Sequence, residues 1–126
     1  MAQSNPAIVR TFKAAADLSA NRFHLVKFTA NDNEVDLAGA NAQCPGILQN
    51  DPNAAGKSAA VCLGGTSKLV VDGSGTPIVP GDWLEADASG HGVKSTVAGH
   101  ECIARALYNS TAAGDIIEVE VVKCRF

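Results

Sequence analysis

The chain has 126 residues, enough for one domain with a modest core and too few for two, and its 46% apolar content is carried by Ala, Val, Leu and Ile, with only 5% aromatic residues. That composition points to small, closely packed side chains rather than a ring-lined ligand cavity. A net charge of −3 and a pI near 5.5 argue against a nucleic-acid partner, and no apolar run reaches the roughly 18 residues of a membrane helix.

Residues 1–20 read as an N-terminal arm. The opening "MAQSNPAIVRTF" lacks the charged start and apolar run of a signal peptide, so a soluble product made in the cytoplasm is expected. Within the arm, "AIVRTFKAAADLSA" places Ile8, Val9 and Phe12 ahead of three alanines and fits either an edge strand or a short helix. These three apolar residues are candidates for contact with a neighbouring subunit, and equally for closing the domain's own core.

Residues 21–126 read as a single β-domain. "HLVKFTA" leads through Asn31-Asp32-Asn33 to "EVDLA", which is hairpin chemistry, because Asn, Asp and Gly tolerate left-handed backbone. "CPGILQN" follows as a third strand. "PNAAGKSAAV", 52–61, holds Gly56-Lys57-Ser58, the end of a phosphate-binding loop in other proteins. Such a loop needs a further glycine where this chain has Asp51, a residue that would meet phosphate with like charge, and no long helix follows. The connection "VDGSGTPIVPGD" has three glycines and two prolines, with Pro80-Gly81 suited to the centre of a type II turn.

The second half repeats the plan. "DWLEADA" runs through Ser89-Gly90-His91-Gly92 to "VKSTVA", then to "ECIARALYNS", a strand by its flanking turns although helical by propensity. The last strand, "IIEVEVVKCRF", alternates through Ile117, Val119 and Val121 and then slips by one, to Val122, Cys124 and Phe126. Strand side chains repeat every two residues, so the slip predicts a β-bulge or a strand leaving its sheet.

At an offset of 58, residues 23–65 lie over 81–123 without a gap, and eight of 43 pairs are identical, among them Val35/Val93, Cys44/Cys102 and Gly56/Gly114. The units are about 23–65 and 81–123. The counterpart of "NAAGKSAAV" is "TAAGDIIEV", with Asp115 in place of Lys57, so the shared element is a turn with glycine at positive φ, and the lysine is incidental. The expected fold class is all-β: a compact barrel or sandwich of two similar units with an N-terminal arm.

Chemistry is hard to find. Cys44, Cys62, Cys102 and Cys124 form no Cys-x-x-Cys pair and read as free thiols packed as small hydrophobes, with a disulfide left open. His24, His91 and His100 offer no i, i+4 histidine pair; in a strand His100 and Cys102 would share a face, a weak hint of metal. Asp72, Asp82, Asp87 and Asp115 adjoin turns, where aspartate bonds nearby backbone N–H groups. Trp83, the lone tryptophan, replaces Leu25 in the repeat and is expected in the core rather than as a sugar-stacking platform. Asn109 opens an Asn-Ser-Thr glycosylation sequence, without weight in a chain lacking a secretory signal. No Gly-x-Ser-x-Gly or His-Glu-x-x-His occurs. No catalytic residue, metal or cofactor is expected, and the chain reads as a non-enzyme.

"GDWLEADASGHGVKSTVAGHECIARALYNSTAAGDIIEVEVV" resembles the C-terminal half of the small capsid decoration, or cement, proteins of tailed bacteriophages, in its Gly-Asp, Ala-Leu, Ala-Ala-Gly-Asp and Ile-Ile-Glu-Val succession. The first half is similar to that family's first unit through Gly-x-Leu-Gln-Asn and Ala-Ala-Gly; the likeness covers about 21–123, and four cysteines depart from it. The resemblance implies a virion protein on the outer capsid surface, made in the host cytoplasm, commonly trimeric, with the major capsid protein as partner. It implies bracing of the shell by binding alone, with the Ile8-Val9-Phe12 segment as a bridge. The alternative from another class is a free-standing ligand- or carbohydrate-binding β-domain displaying Trp83; a third reading is an enzyme with Cys44 or Cys102 as nucleophile.

Overall fold

The computed structural model describes residues 3–126, which form nine strands and no helix. The strands are β1 (Asn5–Ala14), β2 (Leu25–Phe28), β3 (Glu34–Leu37), β4 (Gly46–Leu48), β5 (Ser58–Asp72), β6 (Trp83–Ala86), β7 (Gly92–Lys94), β8 (Glu101–Ala106) and β9 (Ala113–Arg125). The all-β expectation holds. With no helix among the described residues, none is long and apolar enough to cross a membrane.

The strands form one mixed sheet in the order β1-β3-β2-β4-β5-β7-β6-β8-β9, and β5 also pairs with both β1 and β9. Those two extra pairings turn the sheet into two rings. One runs through β1, β3, β2, β4 and the first half of β5; the other through the second half of β5, β7, β6, β8 and β9. β5, 15 residues long, belongs to both.

The registers of the two rings are related by the sequence offset. Leu25↔Ile47 and Ile47↔Cys62 in the first become, on adding 58, Trp83↔Arg105 and Arg105↔Glu120 in the second. The parallel pair Lys13↔Glu34 likewise becomes Val71↔Gly92. β1 is therefore the counterpart of the second half of β5. The segment expected as an arm outside the folding unit is a strand of the first ring, hydrogen-bonded to β5 from Asn5 to Lys13.

The core follows the rings. Phe12, Ala14, Leu18, Val26, Val35, Leu48, Ala59 and Val61 form one buried cluster, on the side of the first ring. The larger cluster joins Leu25, Cys44, Ile47 and Cys62 on the side of the first ring to Leu69, Leu84, Ile103, Ile117 and Val119 of the second ring. β2 explains the division: its consecutive residues Leu25 and Val26 point to opposite faces, and both are fully buried because each face meets a different cluster.

Turn chemistry matches its sequence signals. Gly56 and Gly114, the paired Ala-Ala-Gly glycines, have φ of 85° and 87°. Gly81 has φ of 95° while the Asp82 N–H donates to the Val79 carbonyl at 3.1 Å, the type II turn expected at Pro80-Gly81. The slip in the last strand is a bulge: Cys102 pairs with Cys124 but Ala104 with Val121, which leaves an extra residue in β9. "ECIARA" is strand. Trp83 departs from expectation. It is half-buried and belongs to neither cluster, because β6 turns Leu84 and Ala86 inward and leaves Trp83 on the other face, under the Arg105 guanidinium at 5.2 Å.

Candidate functional site

A cleft of about 710 Å³ opens where the two units meet. Its walls come from β1 and β2 of the first ring and from the ends of β8 and β9 of the second. The junction exists because β9 leaves β5 at Val121 and continues through its bulge beside β8 alone, to Arg125.

The floor is apolar. Phe12 and Phe28 meet edge-to-face with centroids 6.4 Å apart, and Leu63, Ile103 and Cys44 complete it. Phe28 is 53% exposed, unusual for phenylalanine unless something covers it. The rim is basic. Arg10 stacks its guanidinium 4.5 Å over the Phe12 ring, Lys123 donates to the Leu63 carbonyl at 3.0 Å, and Arg125 reaches Glu101 at 3.4 Å and the Gly99 carbonyl at 3.2 Å. Partial burial lowers the Lys123 pKa. Three cations against Glu101 give this cleft a positive sign in a chain of net charge −3.

The cleft holds thiols but no paired nucleophile and base. Burial pushes the Cys44 thiol up to about 12, with the Glu101 charge adding to the effect. Burial also raises Cys102, whose sulfur lies 3.3 Å from the Ser95 hydroxyl. A thiol held protonated is a poor nucleophile. His100 does not meet Cys102; its Nδ1 lies 2.8 Å from Glu85 Oε2.

The sequence-predicted contact residues separate. Ile8 is 57% and Val9 48% exposed, whereas Phe12 is 5% exposed and belongs to the core. Two register irregularities, between Pro6 and Ile8 and between Ile8 and Val9, break the alternation of β1, so both neighbours reach solvent. Phe12, beyond them, regains the inward face. The basic rim was missed by sequence reasoning, because Arg10, Lys123 and Arg125 are brought together only by the ring topology.

The turn aspartates behave largely as expected. Asp72, Asp82 and Asp87 accept backbone N–H groups of Ser74, Val79 and Ser89, while Asp115 instead accepts the Ser110 hydroxyl at 2.8 Å. Asn109 is exposed between β8 and β9. One face of Trp83 is taken by Arg105, which disfavours a sugar platform.

No protein-family model matches the chain, and no curated protein matches its sequence. Among solved structures the chain is similar to the N base of the head fiber gp8.5 of bacteriophage phi29, with a TM-score of 0.69 at 15% sequence identity. The match covers 91% of this chain and 93% of that one. At that identity the likeness is one of fold.

Proposed function

We propose that this protein is a structural component of a phage head, which binds the outer surface of the assembled shell and braces it by bridging major capsid subunits. The observation that carries this reading is the likeness, over nearly the whole of both chains, to the base of a phage head fiber. Two surface features support it: the exposed Ile8-Val9 pair, and the apolar cleft with its basic rim.

The mechanism is linkage. A protein that binds the assembled shell and not its separated subunits stabilises assembly by mass action, and many equivalent contacts over a lattice add avidity. Association as a trimer would place three such surfaces around a local threefold axis. Ile8 and Val9 supply apolar contact, while Arg10, Lys123 and Arg125 select an acidic partner surface. Phe12 acts indirectly, by holding β1 in place.

Co-sedimentation with expanded heads lacking this protein tests the reading. Saturable binding at a fixed ratio to the major shell subunit, with heads more heat-resistant once loaded, is expected. Absence of binding to such heads overturns it.

A further inference from the structure

We propose that Asp72, Asp87 and His91 form a site for a first-row divalent cation, zinc above all, at the closure of the second ring. Asp72 is the last residue of β5, while Asp87 and His91 flank the β6–β7 turn. One donor atom from each lies within 4.8 Å of the others, and His91 Nδ1 is 3.7 Å from Asp87 Oδ2. Zinc–ligand bonds of about 2.0–2.2 Å in tetrahedral geometry put neighbouring donors about 3.4 Å apart, so small side-chain rotations bring the three donors into range and leave the fourth position to water.

The donors are already oriented. Asp87 Oδ1 accepts the N–H groups of Ser89 at 2.8 Å and His91 at 2.9 Å, and Asp72 Oδ1 accepts the N–H of Ser74 at 2.9 Å. Each carboxylate is thus fixed by one oxygen and keeps the other as a donor. The turn itself is anchored, since the Leu25 N–H donates to the Gly90 carbonyl at 2.8 Å.

That anchor also brings in His24, whose ring centroid lies 5.1 Å from that of His91. His24 Nδ1 is 3.3 Å from the Arg22 carbonyl, so its ring packs beside the group and the three donors remain Asp72, Asp87 and His91. Two carboxylates balance a divalent charge, and the imidazole favours zinc over the hard cations calcium and magnesium.

The position gives the ion a task. β5 and β7 are joined by one register pair, Val71↔Gly92, the thinnest closure in the second ring. An ion held by Asp72 on one strand and by Asp87 and His91 around the other would clamp that closure. This does not depend on the proposed role in a phage head.

The test is calorimetric titration of zinc into the full chain under a non-thiol reductant, with thermal melts of the same samples. Binding of about one ion per chain, a rise in Tm on loading, and affinity at least about tenfold weaker in both His91→Ala and Asp72→Asn are expected. Asn at 72 can still accept the Ser74 N–H, so that variant remains informative if His91→Ala does not fold. Cobalt in place of zinc separates this site from the thiols. A thiolate charge-transfer band that disappears in Cys124→Ser overturns the assignment. So does unaltered zinc affinity in a folded variant, or the absence of saturable binding, which would leave the histidine as a bridge between two carboxylates.

Discussion

β1 carries two kinds of apolar residue, and substitution should separate them. Phe12→Ala removes a ring that is 5% exposed and packed in the first cluster. Such truncations cost about 3–5 kcal/mol, and the low end applies here because the ring borders the cleft, where Phe28 is free to shift toward the gap. Unfolding entropy of about 2.1 cal/mol/K per residue gives about 0.26 kcal/mol/K for this chain, so a 3 kcal/mol loss lowers Tm by about 11 °C. The double variant Ile8→Thr, Val9→Thr keeps β-branched side chains at positions that are 57% and 48% exposed. It should cost no more than about 0.5 kcal/mol, or about 2 °C. Urea and thermal melts measure both, and head co-sedimentation measures the second: the double variant should bind heads more weakly while unfolding like the parent. A double variant as unstable as Phe12→Ala, or a Phe12→Ala protein that melts like the parent, refutes the division of β1 into a core part and a surface part.

Gly90→Ala tests the anchor between the units. Gly90 has φ of +76°, and an added Cβ would lie 2.5 Å from Leu37 Cδ1 and 3.1 Å from the Leu25 carbonyl. A loss on the order of 2–3 kcal/mol is expected. Gly99→Ala, at φ of +93° with nothing within 4 Å, carries the backbone strain alone and should cost about 1 kcal/mol in the same melt. Alkylation by iodoacetamide at neutral pH, followed by peptide mass spectrometry, should label half-buried Cys124 first and leave buried Cys44, Cys62 and Cys102 largely unmodified, since burial raises all three pKa values. Rapid labelling of Cys44 in the folded chain would contradict that burial. Hydrogen bonds from Asn31 and Thr29 hold the Glu34 pKa below its ordinary 4.5. A depressed carboxyl adds stability above the unfolded value that is lost as pH falls through the folded one. Glu34→Gln should therefore flatten the fall of Tm below about pH 4.5, and an unchanged acid limb would count against the bonds.

The local chemistry of this fold was legible in the sequence, and its long-range pairing was not. Pro80-Gly81, the Ala-Ala-Gly turns and the slip after Val121 are each fixed by a few adjacent residues, and each appears where its signal lies. β1 offered no such signal. Its bulges interrupt the alternation up to Val9 and Arg10 stands at the mouth of the cleft, so seven consecutive residues are exposed before Phe12 turns inward. Residues 5–14 also share no identity with 63–72, their counterparts in the second unit, so the repeat was visible only from residue 23 onward. Trp83 misled because the offset aligned it with Leu25, yet Leu25 faces the larger cluster that spans both rings, whereas Trp83 lies outside both clusters and is half-buried. The basic rim and the Asp72-Asp87-His91 group needed the topology itself, since each gathers residues from different strands around β5.

That topology also constrains how the surface can dock. β1 meets β3 only through Lys13 and Ala14, so its outer side from Asn5 to Thr11 has no strand partner among the described residues. An open edge invites strand addition by another chain. Here Pro6 lacks the N–H that a ladder needs, and the irregularities at Ile8 interrupt the even spacing of the remaining groups. The same bulges that spoil the edge turn Ile8 and Val9 outward together. Contact through β1 is therefore contact through side chains, and its strength should follow the apolar area of residues 8 and 9 rather than backbone hydrogen bonding. The proposed docking accordingly calls for a partner surface with an apolar pocket and acidic neighbours, not one that offers a free strand.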